Sequence, residues 1–457
     1  MGHHAKPVNG GCAYECKHYC GCHKCTTFKK EIEMIEKIIS WSTHNRFFVW
    51  IGILLIVVGG LYSVINTPVD AIPDLSENQV IVYTEWMGRN PKIMEDQITY
   101  PLVSNLQGIP NIKAIRAASM FGMSFIFVIF NDDAEIYWAR TRVLERLSFA
   151  QKALPQGVTP SLGPDGTGVG HVFWYTLQGD GYDLGELRAV QDWYVKFALQ
   201  NVEGVSEVAS FGGFQKQYQV SINPNKLIYY NISAMDVANA IKANNRDVGG
   251  SIYEMNRMGY MLRGLGYIKN IKDIEEISVG AYKSTPIKLK DVADVQMSSD
   301  IRLGIVEENG EGEVVGGVVV ARYGENAKEV IDRVKERLGD VEKGLPPGVK
   351  IQVAYDRSDL IEAAIATLNE ALIEEIIVVS LVVLLFLFHL RSAVVAIITI
   401  PLSVLIGFMV VKLFGISLNI MSLGGIALAI GDLVDAGIVM TENAYKSLVK
   451  AVLKTDE

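Results

Sequence analysis

A run of nineteen residues without a charge, Phe47–Ile65, constrains this chain more than any other feature. About 20 apolar residues are needed to cross the hydrocarbon core of a bilayer, so the run predicts a transmembrane helix. The alternative is a signal peptide, but the run begins late in the chain, is long, and is followed by Asn66–Asp70 instead of a small-residue cleavage site. The hydrophobic content of 49% and the mean hydropathy of +0.23 also favour a membrane protein.

Three further apolar runs near the carboxyl end predict three more membrane-spanning helices. They are Ala371–Leu390, Ala393–Val411 and a run that begins near Ile416 and contains acidic residues. Basic residues at Arg46 and Arg391 place both chain ends in the cytoplasm by the positive-inside rule. The predicted division is a tail (1–33), transmembrane regions (34–66, 371–391, 392–413 and 416–446), a large portion beyond the membrane (67–370) and a cytoplasmic end (447–457).

The large portion beyond the membrane alternates between strand-like and helix-like patterns. Gln79–Trp86 has the period of a strand and Lys92–Leu106 that of a helix, and the same order recurs at Val172–Leu177 and Leu184–Asn201. Strand–helix–strand units joined by short turns predict sandwiches with helices on one face of a sheet. The predicted fold class is therefore an α+β membrane protein, with α-helical transmembrane spans and ferredoxin-like α/β sandwich subdomains.

Acidic residues within the last apolar run are candidates for chemistry. Asp432 and Asp435 are three residues apart and Glu442 is seven beyond Asp435, so all three lie near one helix face. A carboxylate in hydrocarbon costs about 2.5–3.5 kcal/mol on insertion scales, and mutual repulsion favours protonation of one carboxyl group. We predict that these acids relay protons. The alternative is that the helix ends early and the acids are solvated at the cytoplasmic interface.

All five cysteines lie in the first 25 residues, together with four of the seven histidines. Thiolates and imidazoles bind zinc, cadmium or Cu(I), so this tail is a candidate metal site. Two alternatives remain open: a tail with incidental cysteines, and translation that begins at Met34. The candidate ligands are Cys12, Cys16, Cys20, Cys22, Cys25, His18 and His23.

Several segments resemble the resistance-nodulation-division (RND) superfamily, and specifically its heavy-metal efflux branch of copper/silver and cobalt–zinc–cadmium exporters. The resemblance covers about residues 34–450 and extends only to the amino-terminal half of such pumps. We therefore expect this chain to be a fragment, a split subunit or a truncated product. The similar segments are NTPVDAIPDLSENQV from Asn66, YWARTRVLERL from Tyr137, GPDGTGVG from Gly163, NGEGEVVGGVVVARYGENAKEVI from Asn309, YDRSDLI from Tyr355 and GDLVDAGIVMTEN from Gly431.

The resemblance implies a homotrimer in the bacterial inner membrane, in contact with lipid, that works with a periplasmic adaptor and an outer-membrane channel. It implies a proton-relay role for Asp435 and places Met421 and Met440 on an ion path, although methionine there also suits ordinary packing. Leu433 and Ile301 stand where the copper/silver branch would have methionine. The cation therefore stays open between Cu(I) or Ag(I) and a divalent ion such as zinc.

The predicted function is export of heavy-metal cations in exchange for protons, which is transport and not enzyme catalysis, with no required cofactor besides the transported ion. No GxxxxGK[ST] phosphate loop occurs, and the net charge of −9 gives no support to nucleic-acid binding. One alternative is an RND exporter of organic compounds. The other is a truncated membrane protein that does not transport and whose Cys/His tail sequesters metal.

Overall fold

The computed structural model describes residues 37, 40–302, 304–387 and 390–429, together with residues 432, 436, 439, 440, 443, 446 and 447. Contacts divide the described chain into two units. A helical unit contains the described residues up to Pro68 and from Ala364 onward, and an α/β unit spans Val69–Ala363.

The helices are α1 (Arg46–Asn66), α2 (Pro91–Met94), α3 (Tyr100–Leu106), α4 (Ile136–Ala150), α5 (Leu184–Val190), α6 (Lys196–Gln200), α7 (Pro224–Tyr230), α8 (Ala234–Asn244), α9 (Ile271–Glu275), α10 (Leu289–Val292), α11 (Ala327–Glu342), α12 (Arg357–Leu387) and α13 (Leu390–Leu413). The strands are β1 (Gln79–Glu85), β2 (Ile112–Met120), β3 (Met123–Phe130), β4 (Pro160–Leu162), β5 (Gly166–Gly179), β6 (Val205–Gly212), β7 (Lys216–Ile222), β8 (Val248–Met255), β9 (Met258–Gly264), β10 (Ser278–Tyr282), β11 (Thr285–Lys288), β12 (Ala293–Ser299), β13 (Val315–Arg322) and β14 (Val349–Asp356).

In the helical unit, α1 confirms the helix that the uncharged run predicts. Among the described residues, it is the one helix both long and apolar enough to cross a membrane, while Pro401–Leu413 and Ile420–Ala429 are shorter apolar helices. Helix α1 packs closely on α13, because a Cβ atom on Gly60 would lie 2.6 Å from the Cβ of Leu405. Small residues allow such close approach between helices in lipid.

The α/β unit contains two four-stranded antiparallel sheets with the same topology. The first sandwich, residues 79–162, has the strand order β2-β3-β1-β4. The second sandwich, residues 166–212 and 315–356, has the order β14-β5-β13-β6, which is the same pattern when the strands of each sheet are numbered in chain order. Both are β-α-β-β-α-β units of the ferredoxin-like type, as the sequence pattern predicts.

Each sandwich also interrupts the helix after its first strand with a π turn. These turns are Glu95–Thr99, between α2 and α3, and Gln191–Val195, between α5 and α6. Such wide turns are rare inside helices and insert one residue into the hydrogen-bond ladder. Here the turns bury Thr99 in the first sandwich and Gln191 in the second.

The second sandwich is split by an inserted subdomain, residues 216–299. Strands β7 and β12 pair at its base, and a small apolar core that includes Leu227, Val237 and Leu289 holds its helices. Strands β8 and β9 form a hairpin in which every strand residue is exposed. This hairpin was absent from the sequence prediction, whereas the predicted strand at 79–86 and helix at 92–106 are confirmed to within a few residues.

Candidate functional site

The helix predicted to carry the relay acids begins at Ile420. Asn419 and Ser422 cap it reciprocally, since the amide of Ser422 donates to Asn419 Oδ1 at 2.9 Å and the amide of Asn419 donates to Ser422 Oγ at 2.7 Å. These bonds satisfy amides that a helix end would otherwise leave without partners. The amide of Leu418 also donates to the carbonyl of Pro68 at 2.9 Å, which fixes the start of this helix beside the end of α1.

Three of the predicted site residues fall in the described chain. Asp432 is helical and exposed, while Met421 and Met440 are exposed at 72% and 66% of their surface. The structure therefore shows these three residues with exposed side chains. The remaining predicted site residues lie outside the described residues: Asp435, Glu442, Cys12, Cys16, Cys20, Cys22, Cys25, His18 and His23.

A partly buried ion pair joins the two places where the chain enters and leaves the α/β unit. The guanidinium of Arg357 lies 3.3 Å from both carboxylate oxygens of Asp70, and it also donates to the carbonyl of His171 at 3.3 Å. Only 5% of the Arg357 side chain is exposed, and its Nε is buried without a partner. Asp70 follows α1 and Arg357 opens α12, so this pair ties together the two connections to the helical unit.

A second charged cluster lies beside the first turn of α12. Lys335 of α11 pairs with Asp356, and its ammonium also donates to Ser358 Oγ at 2.8 Å. Burial disfavours the charged form of Asp356, but hydrogen bonds from Lys335 and Ser358 outweigh it and lower the pKa of this carboxyl group. Charged side chains thus hold the start of α12 against the second sandwich.

Asp165 connects the two sandwiches. Its carboxylate accepts hydrogen bonds from Tyr137 of α4 at 3.2 Å and from Ser206 of β6 at 2.5 Å, and it pairs with Arg322 of β13 at 3.0 Å. Arg140 of α4 donates to the neighbouring carbonyl of Gly163 at 2.9 Å. One carboxylate in the loop between the sheets therefore binds elements of both sandwiches.

The surroundings of Asp165 favour its charged form. Burial alone would raise the pKa of Asp165, yet the hydrogen bond from Ser206 and the charge of Arg322 hold it below its usual value. Burial and the nearby carboxylate raise the pKa of Tyr137, which keeps this hydroxyl a donor. A cleft of about 50 Å³ opens beside this network, lined by Ser76, Glu77, Asn78, Gln79, Ile136, Arg140, Pro164, Asp165, Gly166, Thr167 and Tyr323.

Sequence reasoning identified none of these charged pairs, although the segments singled out for their resemblance contain most of the partners. Asp70 and Arg357 lie in two of those segments, and Asp165 and Tyr137 in two others. Among the described residues, no three His, Cys, Asp or Glu side chains are grouped as a metal site would require.

The amino-acid sequence of this chain is similar to those of known proteins. A sequence model of the AcrB/AcrD/AcrF family matches residues 38–457. The cation efflux system protein CusA of Escherichia coli strain K12 is 49% identical over 418 residues, which cover 91% of this chain and 40% of that protein. The cobalt-zinc-cadmium resistance protein CzcA of Cupriavidus metallidurans is 36% identical over 427 residues, which cover 92% of this chain and 40% of that protein.

The fold is likewise similar to solved structures. A crystal structure of a heavy metal efflux pump aligns with a TM-score of 0.80 and 34% identity, over 92% of this chain and 42% of the solved chain. This chain thus spans about two fifths of the length of the relatives that it matches.

Proposed function

Because this chain belongs to the AcrB/AcrD/AcrF family, we propose that it is the amino-terminal portion of an inner-membrane RND pump that exports heavy-metal cations in exchange for protons. The observation that carries the proposal is the 49% identity to a cation efflux protein along 91% of the chain. The fold, with its two sandwiches, is similar to that of a heavy metal efflux pump, which supports the same proposal.

Asp435 is the proposed central proton carrier, and Asp432 and Glu442 are proposed to assist it. An ionisable residue within an apolar helix is costly unless it faces a protein interior, and it can exchange protons there. The chemical role of these residues is to accept a proton from one side of the membrane and release it to the other. Met421 and Met440 are proposed to contact the cation along its path, since thioethers bind soft ions.

The proposed topology has four transmembrane helices, with the α/β unit in the periplasm and the amino terminus in the cytoplasm. The proposed assembly is a homotrimer that docks a periplasmic adaptor and an outer-membrane channel. The exposed hairpin of β8 and β9 supports an assembly, because exposed apolar side chains on both of its faces are typical of surfaces that contact another protein. The Cys/His tail is proposed to bind metal in the cytoplasm, where thiols stay reduced.

The proposal is tested by metal resistance in cells that lack their own exporter. The chain is completed with the carboxy-terminal half of a related cation pump, and Asp435→Asn is compared with the parent. We expect Asp435→Asn to abolish resistance to copper and silver salts, because an amide cannot carry the proton. Asp132→Asn, an exposed turn residue of the α/β unit, is the matched control and should keep full resistance.

Other results would point elsewhere. Unchanged resistance in Asp435→Asn would reject the relay role. Resistance to drugs or detergents that is indifferent to added metal would indicate an exporter of organic compounds. Stoichiometric metal binding to residues 1–33 without flux in proteoliposomes would indicate a protein that sequesters metal.

A further inference from the structure

The exposed hairpin of β8 and β9 contains an unusual concentration of methionine. Met255, Met258 and Met261 lie within seven residues, whereas the whole chain of 457 residues has 14 methionines. They are exposed at 49%, 59% and 83% of their surface, so none of them packs in a core of this chain. Methionine is a flexible apolar residue that ordinarily fills gaps in cores, so packing within this chain does not account for these three.

The strand register decides which of the three sulfur atoms can act together. Met255 pairs directly with Met258 across the turn, whereas Met261 pairs with Ile252. Because side chains alternate between faces along a strand, Met255 and Met258 share one face and Met261 lies on the other. The sequence spacing suggests three ligands, but the structure brings together two.

The turn holds this pair in place. Asn256 and Arg257, which connect the strands, have φ angles of 52° and 63°, as a two-residue type I′ turn requires. Directly paired side chains in such a ladder have Cβ atoms about 5 Å apart. Two thioethers that start from that separation can reach one ion, since each has freely rotating bonds beyond Cβ.

We propose that Met255 and Met258 form a binding site for a soft monovalent cation, Cu(I) or Ag(I). The next residues on the same face are Tyr253 and Tyr260, which also pair directly. Thioethers and aromatic rings therefore lie together on this face of the hairpin. Glu254 lies on the opposite face with Gly259. Thioether ligands select soft ions, while zinc prefers thiolate, imidazole or carboxylate.

Charge in the turn favours the same choice of ion. Arg257 is the cationic residue of the turn, and Coulomb repulsion from it is twice as large for a divalent as for a monovalent cation at one distance. The site therefore deepens the proposed export function by naming a soft monovalent cation as cargo. The proposed site rests on the export function only for the supply of the ion, because the two methionines can bind the ion without any transport.

The test is titration of the full chain in detergent with silver nitrate, observed by NMR of ¹³C-labelled methionine methyl groups. All five thiols are first alkylated, because the cysteines of the tail would otherwise bind silver. We expect the methyl signals of Met255 and Met258 to shift together along a single saturating binding curve. The signals of Met261 and of Met235, which is exposed on α8, should not move in this titration step.

Substitutions assign the signals and provide the controls. Met255→Leu and Met258→Leu keep the apolar volume and should each abolish the shift of the remaining partner, whereas Met261→Leu should preserve both shifts. A zinc titration should move neither signal. The proposal is overturned if silver shifts neither methyl group, if the shift survives loss of the partner methionine, or if zinc produces the same shift; the hairpin is then an apolar contact surface only.

This experiment separates the site from the export function. Silver binding that is intact in a completed pump without metal resistance would reject the export proposal and keep the site. Intact metal resistance in a completed pump that shows no methyl shifts would reject the site and keep the export proposal.

Discussion

The first and the second sandwich place four strands in the same order and interrupt the same helix with a π turn, but they bury different polar groups beneath it. In the first sandwich, Thr99 Oγ1 lies 2.8 Å from Ser119 Oγ and 2.7 Å from Ser124 Oγ, which are on β2 and β3. In the second sandwich, Gln191 accepts from the hydroxyl of Tyr175 at 3.0 Å and donates to Ser210 Oγ at 3.2 Å. Each π turn thus has a buried hydrogen-bond anchor to its own sheet.

The sandwiches also differ in what is attached to them. The first is continuous in sequence, from β1 to β4, whereas the second carries the inserted subdomain between β6 and β13 and continues from β14 into α12. The Asp70–Arg357 pair and the Lys335–Asp356 pair both lie where α12 begins. The first sandwich is therefore a self-contained domain, whereas the second, with the same topology, connects the inserted subdomain and α12. A destabilising change in the second sandwich should therefore also affect the elements attached to it.

The largest expected effect comes from emptying one core position in each sandwich. Leu102 of α3 and Leu199 of α6 are both fully buried, and Leu→Ala at such sites costs about 2–5 kcal/mol. We expect faster amide exchange in Leu102→Ala to stay within residues 79–162. In Leu199→Ala, exchange should accelerate in the second sandwich and also in residues 216–299, because β6 leads directly into the insertion. Hydrogen exchange with mass spectrometry on the full chain measures both.

Leu144→Ala is the control for this comparison, because Leu144 lies on α4 with most of its side chain exposed, and its exchange pattern should match the parent. If both core variants accelerate exchange in the inserted subdomain, or if neither does, the distinction between a self-contained and a connecting sandwich is wrong.

A smaller effect is expected from crowding the anchor of the second sandwich. A Cβ atom on Gly317 of β13 would lie 2.8 Å from Gln191 Nε2 and would also contact the hydroxyl of Tyr175. Gly317→Ala should destabilise this sandwich by about 1–3 kcal/mol, as overpacking of a filled core does. Denaturant unfolding followed by tryptophan fluorescence, to which Trp174 on β5 contributes, would detect the loss.

The matched control for Gly317→Ala is Gly339→Ala. Gly339 lies within α11, and a Cβ atom there would meet nothing within 4 Å. Alanine is a better helix former than glycine by about 1 kcal/mol, so this variant should be slightly more stable than the parent. A neutral Gly317→Ala would mean that the anchor tolerates the extra atom and that the π turn of the second sandwich does not depend on close packing.

Sequence periodicity predicted the first strand and the first helix of each sandwich but neither anchor, and it did not predict the short edge strand β4. The helix at 92–106 was predicted because its apolar residues recur with helical spacing, and one wide turn changes that spacing too little to be seen. The hairpin at 248–264 was not predicted because its strands are exposed on both faces and lack the alternation of a half-buried strand. Pairs such as Asp70–Arg357, which are 287 residues apart, depend on tertiary structure and leave no local pattern.

The smallest expected effect tests the contact between the two sandwiches. Asp165→Asn removes the charge that Arg322 and Ser206 stabilise, and because 43% of the Arg322 side chain is exposed, solvent screening limits the loss to about 1 kcal/mol. Because the pKa of Asp165 is lower in the folded chain than its ordinary value, the stability that its charge contributes is present at pH values above that ordinary value of about 4. This stability is lost as the pH falls through the folded pKa.

The difference in unfolding free energy between parent and variant, measured with urea, should therefore be constant from pH 7 to pH 5 and shrink at lower pH. Taking the difference cancels other carboxyl groups with lowered pKa, such as Asp356. A difference that does not change with pH would show that Asp165 joins the sandwiches by shape and hydrogen bonding alone, and that its charge has no part in holding the self-contained sandwich to the connecting one.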